Sequence, residues 1–196
     1  MSRLPVTLAL TATVLAAAGC ATRPAHEHAQ QHSPIALSTD RGQDTAGPVL
    51  AAASLTPTQG KEVRGLVLFR EMDAQHVMVH ARVIGLKPNA EHGFHLHENG
   101  QCASPDGASA GGHFNPAKAA HGPQDAEHHA GDMPNLKADG NGVADQKFII
   151  QGVSLSPGPT SIDARSVIVH ADPDDFRSQP AGNAGPRLAC AVVAIQ

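Results

Sequence analysis

The chain has 196 residues and a formal net charge of −4, and no block of Lys or Arg gives it the electrostatic footprint of a nucleic-acid binder. Aromatic residues make up 3%, with no Trp and no Tyr, against 19 Gly and 15 Pro, which excludes an aromatic-rich core. That balance favours an all-β domain with many turns around Val, Ile, Leu and Ala, and a folded part of about 150 residues would remove roughly 70% of its unfolded-chain surface from water.

The N-terminus, MSRLPVTLALTATVLAAAGC, carries Arg3 and then an apolar run from Leu4 to Ala18. The run is too short to span a bilayer and has the flanks of an export signal, so residues 1–20 read as a signal peptide. Its ending, Ala17-Ala18-Gly19-Cys20, resembles the bacterial lipoprotein box, in which Cys20 takes the lipid and becomes the new N-terminus. Ala17 stands where such boxes usually have Leu, so secretion with ordinary cleavage is the alternative. Either route places the protein in the periplasm or cell envelope, with Cys20 as the lipid anchor and sole membrane contact in the first case. Residues 21–47, with AHEHAQQHSP inside, are polar, unpatterned and broken by Pro24 and Pro34, the composition of a flexible tether. His26, His28 and His32 within it could scavenge metal, although an accidental His-rich linker is the plainer reading.

From Pro48 the texture changes to short apolar runs separated by turn residues: VLAAASL, EVRGLVLF, HVMVHARVIGL, HGFHLHE, then VADQKFII, ARSVIVH and LACAVVAI. Alternation and β-branched content predict strands, and Lys87-Pro88-Asn89 and Asp139-Gly140-Asn141-Gly142 predict turns, so residues 48–196 form one sandwich or barrel. The exception is Glu98 to Leu136, a Gly/Pro/His-rich segment with almost no strand pattern. A loop that long inside a compact domain is functional or disordered, and this one needs something other than packing to hold it.

Side chains at i and i+2 of a strand share a face, so His95 and His97 project together while Phe94 and Leu96 project to the other side. A lone His-x-His is common by chance. Here the following loop adds His113 in GGHFNP, His121 in AHGP, and His129 with Asp132 in HHAGD, and ARSVIVH ends in His170. Mixed imidazole and carboxylate donors suit Zn(II), and imidazole-only donors suit copper. Of the three cysteines, lipidation of Cys20 would leave Cys102 and Cys190 as a pair in an oxidising compartment, the alternative being two unrelated buried thiols. A bridge between them would stabilise the fold by about 4 to 5 kcal/mol on a chain-entropy basis.

Taken in order, GFHLHE, GGHFNP, HHAGD, VIVH and GNAGPRLAC closely resemble the copper/zinc superoxide dismutase family, in its bacterial exported, lipoprotein-like branch. The resemblance covers about Pro48 to Gln196 and implies an eight-stranded Greek-key β-barrel or sandwich with a long metal-binding loop and a second active-site loop. It implies His95, His97, His113 and His170 as copper ligands and His113, His121, His129 and Asp132 as zinc ligands, with His113 bridging the metals as an imidazolate. His128 and His129 compete for one zinc position, and the family spacing of histidine, two residues, aspartate selects His129. Asp174 matches the outer-shell carboxylate that links a copper-ligand to a zinc-ligand histidine, its alternative being a solvated loop acid beside Asp172 and Asp175. Arg187 resembles the family's anion-docking arginine, and a Cys102–Cys190 disulfide would clamp the loop carrying copper ligands onto the strand after it.

The implied reaction converts superoxide anion to dioxygen and hydrogen peroxide by alternate reduction and reoxidation of copper, with His113 taking a proton when its bridge opens. Zinc stays redox-silent. Where many eukaryotic members have a threonine before GNAG and a lysine nearby, this chain has Ala181 and only Arg177 in that loop. The interval from His97 to Cys102 is shortened as in bacterial members. A homodimer is compatible with the family, but dimer contacts vary among its bacterial members. The rival functions are metal delivery or storage on the same fold and a sandwich adhesion module on a lipid tether. His76, His80 and His92 read as exposed or hydrogen-bonded strand histidines.

Overall fold

The computed structural model describes residues 50–196. The expected signal peptide at 1–20 with Cys20, the expected tether at 21–47 with its histidines, and the first two residues of the domain predicted to begin at Pro48 lie outside the described residues. Every predicted strand run forms strand: β1 Ala51–Pro57, β2 Arg64–Asp73, β3 His76–Ile84, β4 Glu91–His92, β5 Phe94–His97, β6 Leu136–Lys137, β7 Ala144–Gln151, β8 Ser166–His170, β9 Arg187–Val192 and β10 Ala194–Ile195. Among the described residues there is no α-helix, only a 3₁₀ turn at Ala108–Ala110.

Eight strands share one antiparallel sheet in the order β5-β8-β9-β1-β2-β3-β7, with β10 beside β1. The chain winds β1-β2-β3 as a meander, crosses to β5 at the far edge, returns to β7 beside β3 and crosses again to β8 beside β5. Those crossings are the Greek-key connectivity that the resemblance implied. The open edges are joined by the short β4–β6 ladder, because β4 continues into β5 after Gly93 and β6 leads toward β7, where Gln146 Oε1 accepts the Lys137 N–H at 2.5 Å. The sheet thus curls around one core.

Alternation decides what fills it. On β3, Val77, Val79, Ala81 and Val83 are buried and the residues between them are partly exposed, which is the period-2 pattern of a half-solvated sheet. Two strands depart from it: β5 and β8 are buried at every position. Their inner side chains, Phe94, Leu96, Val167 and Val169, join the core. Their outer face is covered by loop 98–135, under which Ile168, Ala110, Cys102 and Cys190 form a second small apolar cluster. The disulfide Cys102–Cys190 lies there, with a Cα–Cα distance of 5.7 Å and a separation of 88 residues.

Candidate metal centre

The covered face of β5 and β8 carries the histidines. His95 and His97 stand on one side of β5 with ring centroids 6.2 Å apart, while Phe94 and Leu96 are fully buried on the other, as strand geometry requires. The free edge of β5 recruits the loop: single bridges pair His97 with His113 and His95 with Asp132. Gly131 N–H donates to Phe114 O at 2.8 Å and Gly131 O accepts from Leu96 N–H at 2.9 Å. A Cβ on Gly131 would lie 2.3 Å from Leu96 O, so this approach needs glycine. The loop that lacked a strand pattern is held along the strand edge.

Two groups of donors result. Atoms of His95, His97, His113 and His170 lie within 4.8 Å of one another, and so do atoms of His113, His121, His129 and Asp132. His113 belongs to both, with its ring centroid 4.0 Å from His95, 5.0 Å from His97, 5.4 Å from His121 and 5.6 Å from His129. Its Nδ1 is 2.7 Å from Asp132 Oδ1, which leaves Nε2 for the first group.

The hydrogen bonds settle which nitrogen each ring presents. His97 Nδ1 and His170 Nδ1 lie 2.9 and 3.1 Å from the carbonyls of Gly111 and Gly185. A carbonyl only accepts, so these Nδ1 atoms carry the proton and both Nε2 atoms, 3.4 Å apart, keep lone pairs. Asp174, fully buried, accepts from His95 Nε2–H at 2.7 Å and from His121 Nε2–H at 2.9 Å, so each of those rings offers Nδ1. It is therefore a buried link between the two groups, not a solvated loop acid.

Four of the offered atoms, His95 Nδ1, His113 Nε2, His121 Nδ1 and His129 Nδ1, are buried without a hydrogen-bond partner. His121 Nδ1 and His129 Nδ1 approach Asp132 carboxylate oxygens at 3.0 and 3.3 Å but are not aligned to bond them. Each buried unpaired polar atom costs about 1–3 kcal/mol, so four in one place call for a partner that accepts lone pairs from all sides, which is a cation. Burial, followed by the charge of neighbouring rings, holds His97 well below the usual imidazole range and His170 down at about 3. Burial likewise brings His95 down to about 4 against the pull of Asp174. These rings stay neutral, the form that ligates. For Asp132 and Asp174, burial opposes ionisation, yet hydrogen bonds from His113 and the His129 main-chain N–H on the first and from His121 and His95 on the second hold both well below the carboxylate range. The donor set fits one imidazole-only cation and one imidazole–carboxylate cation.

Of the competing pair, His129 joins a donor group while His128 turns its Nδ1 to Ala126 O at 2.7 Å. Arg187 opens β9, and its guanidinium donates to Gly107 O and Gly111 O, both at 2.6 Å. Gly111 O thus receives both Arg187 and His97, tying the arginine to a donor ring through the loop that Cys102 anchors. Arg187 also lines an open groove with Thr58, Lys61, Asp106 and Pro186.

Two site residues escaped sequence reasoning. Asn135 brackets Asp174 with its side chain, accepting from Asp174 N–H and donating to Asp174 O, both at 2.9 Å. Gln179 does the same for His121, also at 2.9 Å in both directions. A single amide in a loop carries no pattern that would have disclosed either. His92 takes the hydrogen-bonded alternative: its Nδ1 lies 2.9 Å from His170 O, and the residue is 1% exposed, with the β4–β6 ladder and β8 beside it. His76 and His80 are hydrogen-bonded, to Asp73 and Asp145.

Comparison with known proteins agrees with this geometry. The family model for copper/zinc superoxide dismutase (SODC) matches residues 63–193. The chain is 45% identical over 141 residues to Superoxide dismutase [Cu-Zn] of Saccharomyces cerevisiae, covering 68% of this chain and 90% of that protein. It is 37% identical over 141 residues to the superoxide dismutase-like protein YojM of Bacillus subtilis, covering 69% and 71%. A crystal structure of a SOD-like protein from Bacillus subtilis superposes with a TM-score of 0.66 at 35% identity, covering 72% of this chain and 96% of that one. Copper and zinc are the metals that such membership implies, in keeping with the two donor groups. On sequence, fold and donor chemistry together, this chain belongs to the copper/zinc superoxide dismutase family.

Proposed function

We propose that the protein is an active superoxide dismutase, holding copper at His95, His97, His113 and His170 and zinc at His113, His121, His129 and Asp132. The observation that carries this reading is the shared ring of His113, which faces one group with Nε2 and the other with Nδ1, beside an arginine anchored to the same loop. Copper, when bound, supplies one-electron chemistry that oxidises one superoxide to dioxygen and reduces a second, with two protons, to hydrogen peroxide, while zinc is redox-silent.

The chain's own residues account for the rest. Arg187, half-buried and cationic, supplies positive potential at the groove and a planar donor fork for a diatomic anion. His113 is the ring that can hold a proton at Nε2 beside the reacting anion and hand it on. Asp174 keeps His95 and His121 in the tautomers that leave Nδ1 free, and Asn135 and Gln179 hold Asp174 and His121 in place.

A second reading, a metal-holding relative that does not turn over, is favoured by the similarity to a protein named SOD-like. A superoxide-consumption assay on protein reconstituted with copper and zinc, copper alone or zinc alone separates the two. Fast, cyanide-sensitive turnover only with copper present supports the enzyme, whereas stoichiometric metal binding without turnover supports the second reading. The proposal extends to location: export followed by lipid attachment at Cys20 would hold the enzyme at a membrane of the cell envelope. Cys20→Ser should move it from the membrane to the soluble fraction, and an unchanged distribution would remove the anchor.

A further inference from the structure

Between His121 and His129 the loop turns at Pro123–Ala126, where Ala126 N–H donates to Pro123 O at 3.0 Å. Asp125, Ala126 and Glu127 are exposed there, whereas Gln124 is half-buried and reaches two parts of the protein at once. Its Nε2 donates to the main-chain carbonyl of Asp132, and its Oε1 accepts from the N–H of Gln151, the last residue of β7, at 3.1 Å. An amide carries a donor and an acceptor on one planar group, which is what a link between a carbonyl and an N–H requires. Both ends of the link matter. β7 is the end strand of the sheet order, so Gln151 N–H meets a side chain from the loop where an inner strand would meet a neighbouring strand. Asp132 is 1% exposed, so its carbonyl needs a partner inside the protein. The other bonds to this residue come from its own loop: its N–H donates to His129 O at 3.0 Å, and its Oδ2 accepts from His129 N–H at 2.9 Å and Gly122 N–H at 3.2 Å. Those contacts move with the loop. Gly131, just before it, is tied to β5, which gives one fixed point on the sheet, and Gln124 gives a second through β7. One point leaves a pivot; two set a direction.

We infer that Gln124 is a positioning residue for the zinc-side donor group: it fixes the carbonyl of Asp132 to the end of β7 and so sets how the Asp132 carboxylate faces His113, His121 and His129. This rests on the reading of Asp132 as a zinc ligand. Three variants test it by chelator competition for Zn(II) and Cu(II) and by the visible spectrum of Co(II) placed in the zinc site, whose bands follow ligand geometry. Gln124→Met keeps the length and bulk without donor or acceptor. Gln124→Glu keeps the acceptor for Gln151 N–H and removes the donor to Asp132 O. Asp132→Ala is the control.

The expected result for Gln124→Met is an altered Co(II) spectrum and about tenfold weaker Zn(II) binding, with Cu(II) affinity unchanged. Gln124→Glu should show an altered Co(II) spectrum as well. A Gln124→Met protein with unaltered spectrum and Zn(II) affinity, beside an Asp132→Ala protein that loses zinc, overturns the inference alone. So does an equal loss of Cu(II) affinity, the mark of a general brace, or a Gln124→Glu spectrum identical to that of the unsubstituted protein. Unaltered zinc binding in Asp132→Ala overturns the ligand reading and this inference with it. Should Gln124→Met not fold, the unsubstituted zinc-loaded, copper-free protein still decides: a scalar coupling across the hydrogen bond from Gln124 Nε2 to the Asp132 carbonyl is expected, and its absence from an otherwise assigned spectrum overturns the role.

Discussion

Replacing Asp174 by Asn should weaken copper more than zinc, although Asp174 touches one ring from each donor group. The carboxylate accepts on two sides unequally. Oδ1 receives His121 Nε2–H at 2.9 Å and Phe176 N–H at 2.7 Å, whereas Oδ2 receives only His95 Nε2–H at 2.7 Å. An amide has one accepting oxygen and two N–H donors, so it orients with the oxygen toward the side that carries two donors and its NH₂ toward His95. His95 then faces a donor with a donor. Relief comes when its proton moves to Nδ1, the nitrogen that faces the first group, and that nitrogen ceases to be a ligand. Removing an outer partner of a metal-ligating histidine costs about 10- to 100-fold in affinity, or roughly 1.4 to 2.8 kcal/mol. Chelator competition on Asp174→Asn should therefore show that loss for Cu(II) and a smaller one for Zn(II). Equal losses, or a larger one for Zn(II), would refute the argument from hydrogen-bond count.

Arg187→Ala should retain both metals, measured by metal analysis, and lose roughly 10- to 100-fold in superoxide turnover, since only the positive potential and anion fork are removed. Unchanged turnover would cancel its assigned role. Cys102→Ser with Cys190→Ser should lower unfolding free energy by about 4 to 5 kcal/mol in denaturant titration, and turnover should fall as well because Gly107 and Gly111 lose the anchor that holds their carbonyls against Arg187. Asn135→Ala leaves the backbone N–H and carbonyl of buried Asp174 without their side-chain partners, and should destabilise the metal-free protein by roughly 1–3 kcal/mol in the same titration.

The strands were legible because their alternation is set by the pleat: the β3 pattern is visible in HVMVHARVI without any coordinates. The shared face of His95 and His97 follows from the same period. What the strand pattern concealed was β4 and β6, two residues each, too short for any periodicity, although they join the edges of the sheet and bury His92. At β5 and β8 the outer face is covered by a loop carrying no pattern of its own, so residues that alternation alone would leave in solvent are enclosed. The parts of the site that orient the rings were the least legible. Gly111 O and Gly185 O act through the main chain, whose carbonyls look alike in any sequence. Gly182 is placed at φ +62 where a Cβ would strike Asp174 Oδ1 at 1.8 Å, and its role depends on a loop returning from elsewhere in the chain.

On the proposed function a single imidazole, His113, serves two different metals. Anomalous diffraction from crystals of the reconstituted protein, recorded on both sides of the copper and zinc absorption edges, tests it most directly. A copper peak is expected beside His95, His97, His170 and the Nε2 of His113, and a separate zinc peak on the Nδ1 side of the same ring with His121, His129 and Asp132. A copper peak away from the four histidines, or a His113 that touches only one metal when both are present in full, would contradict it.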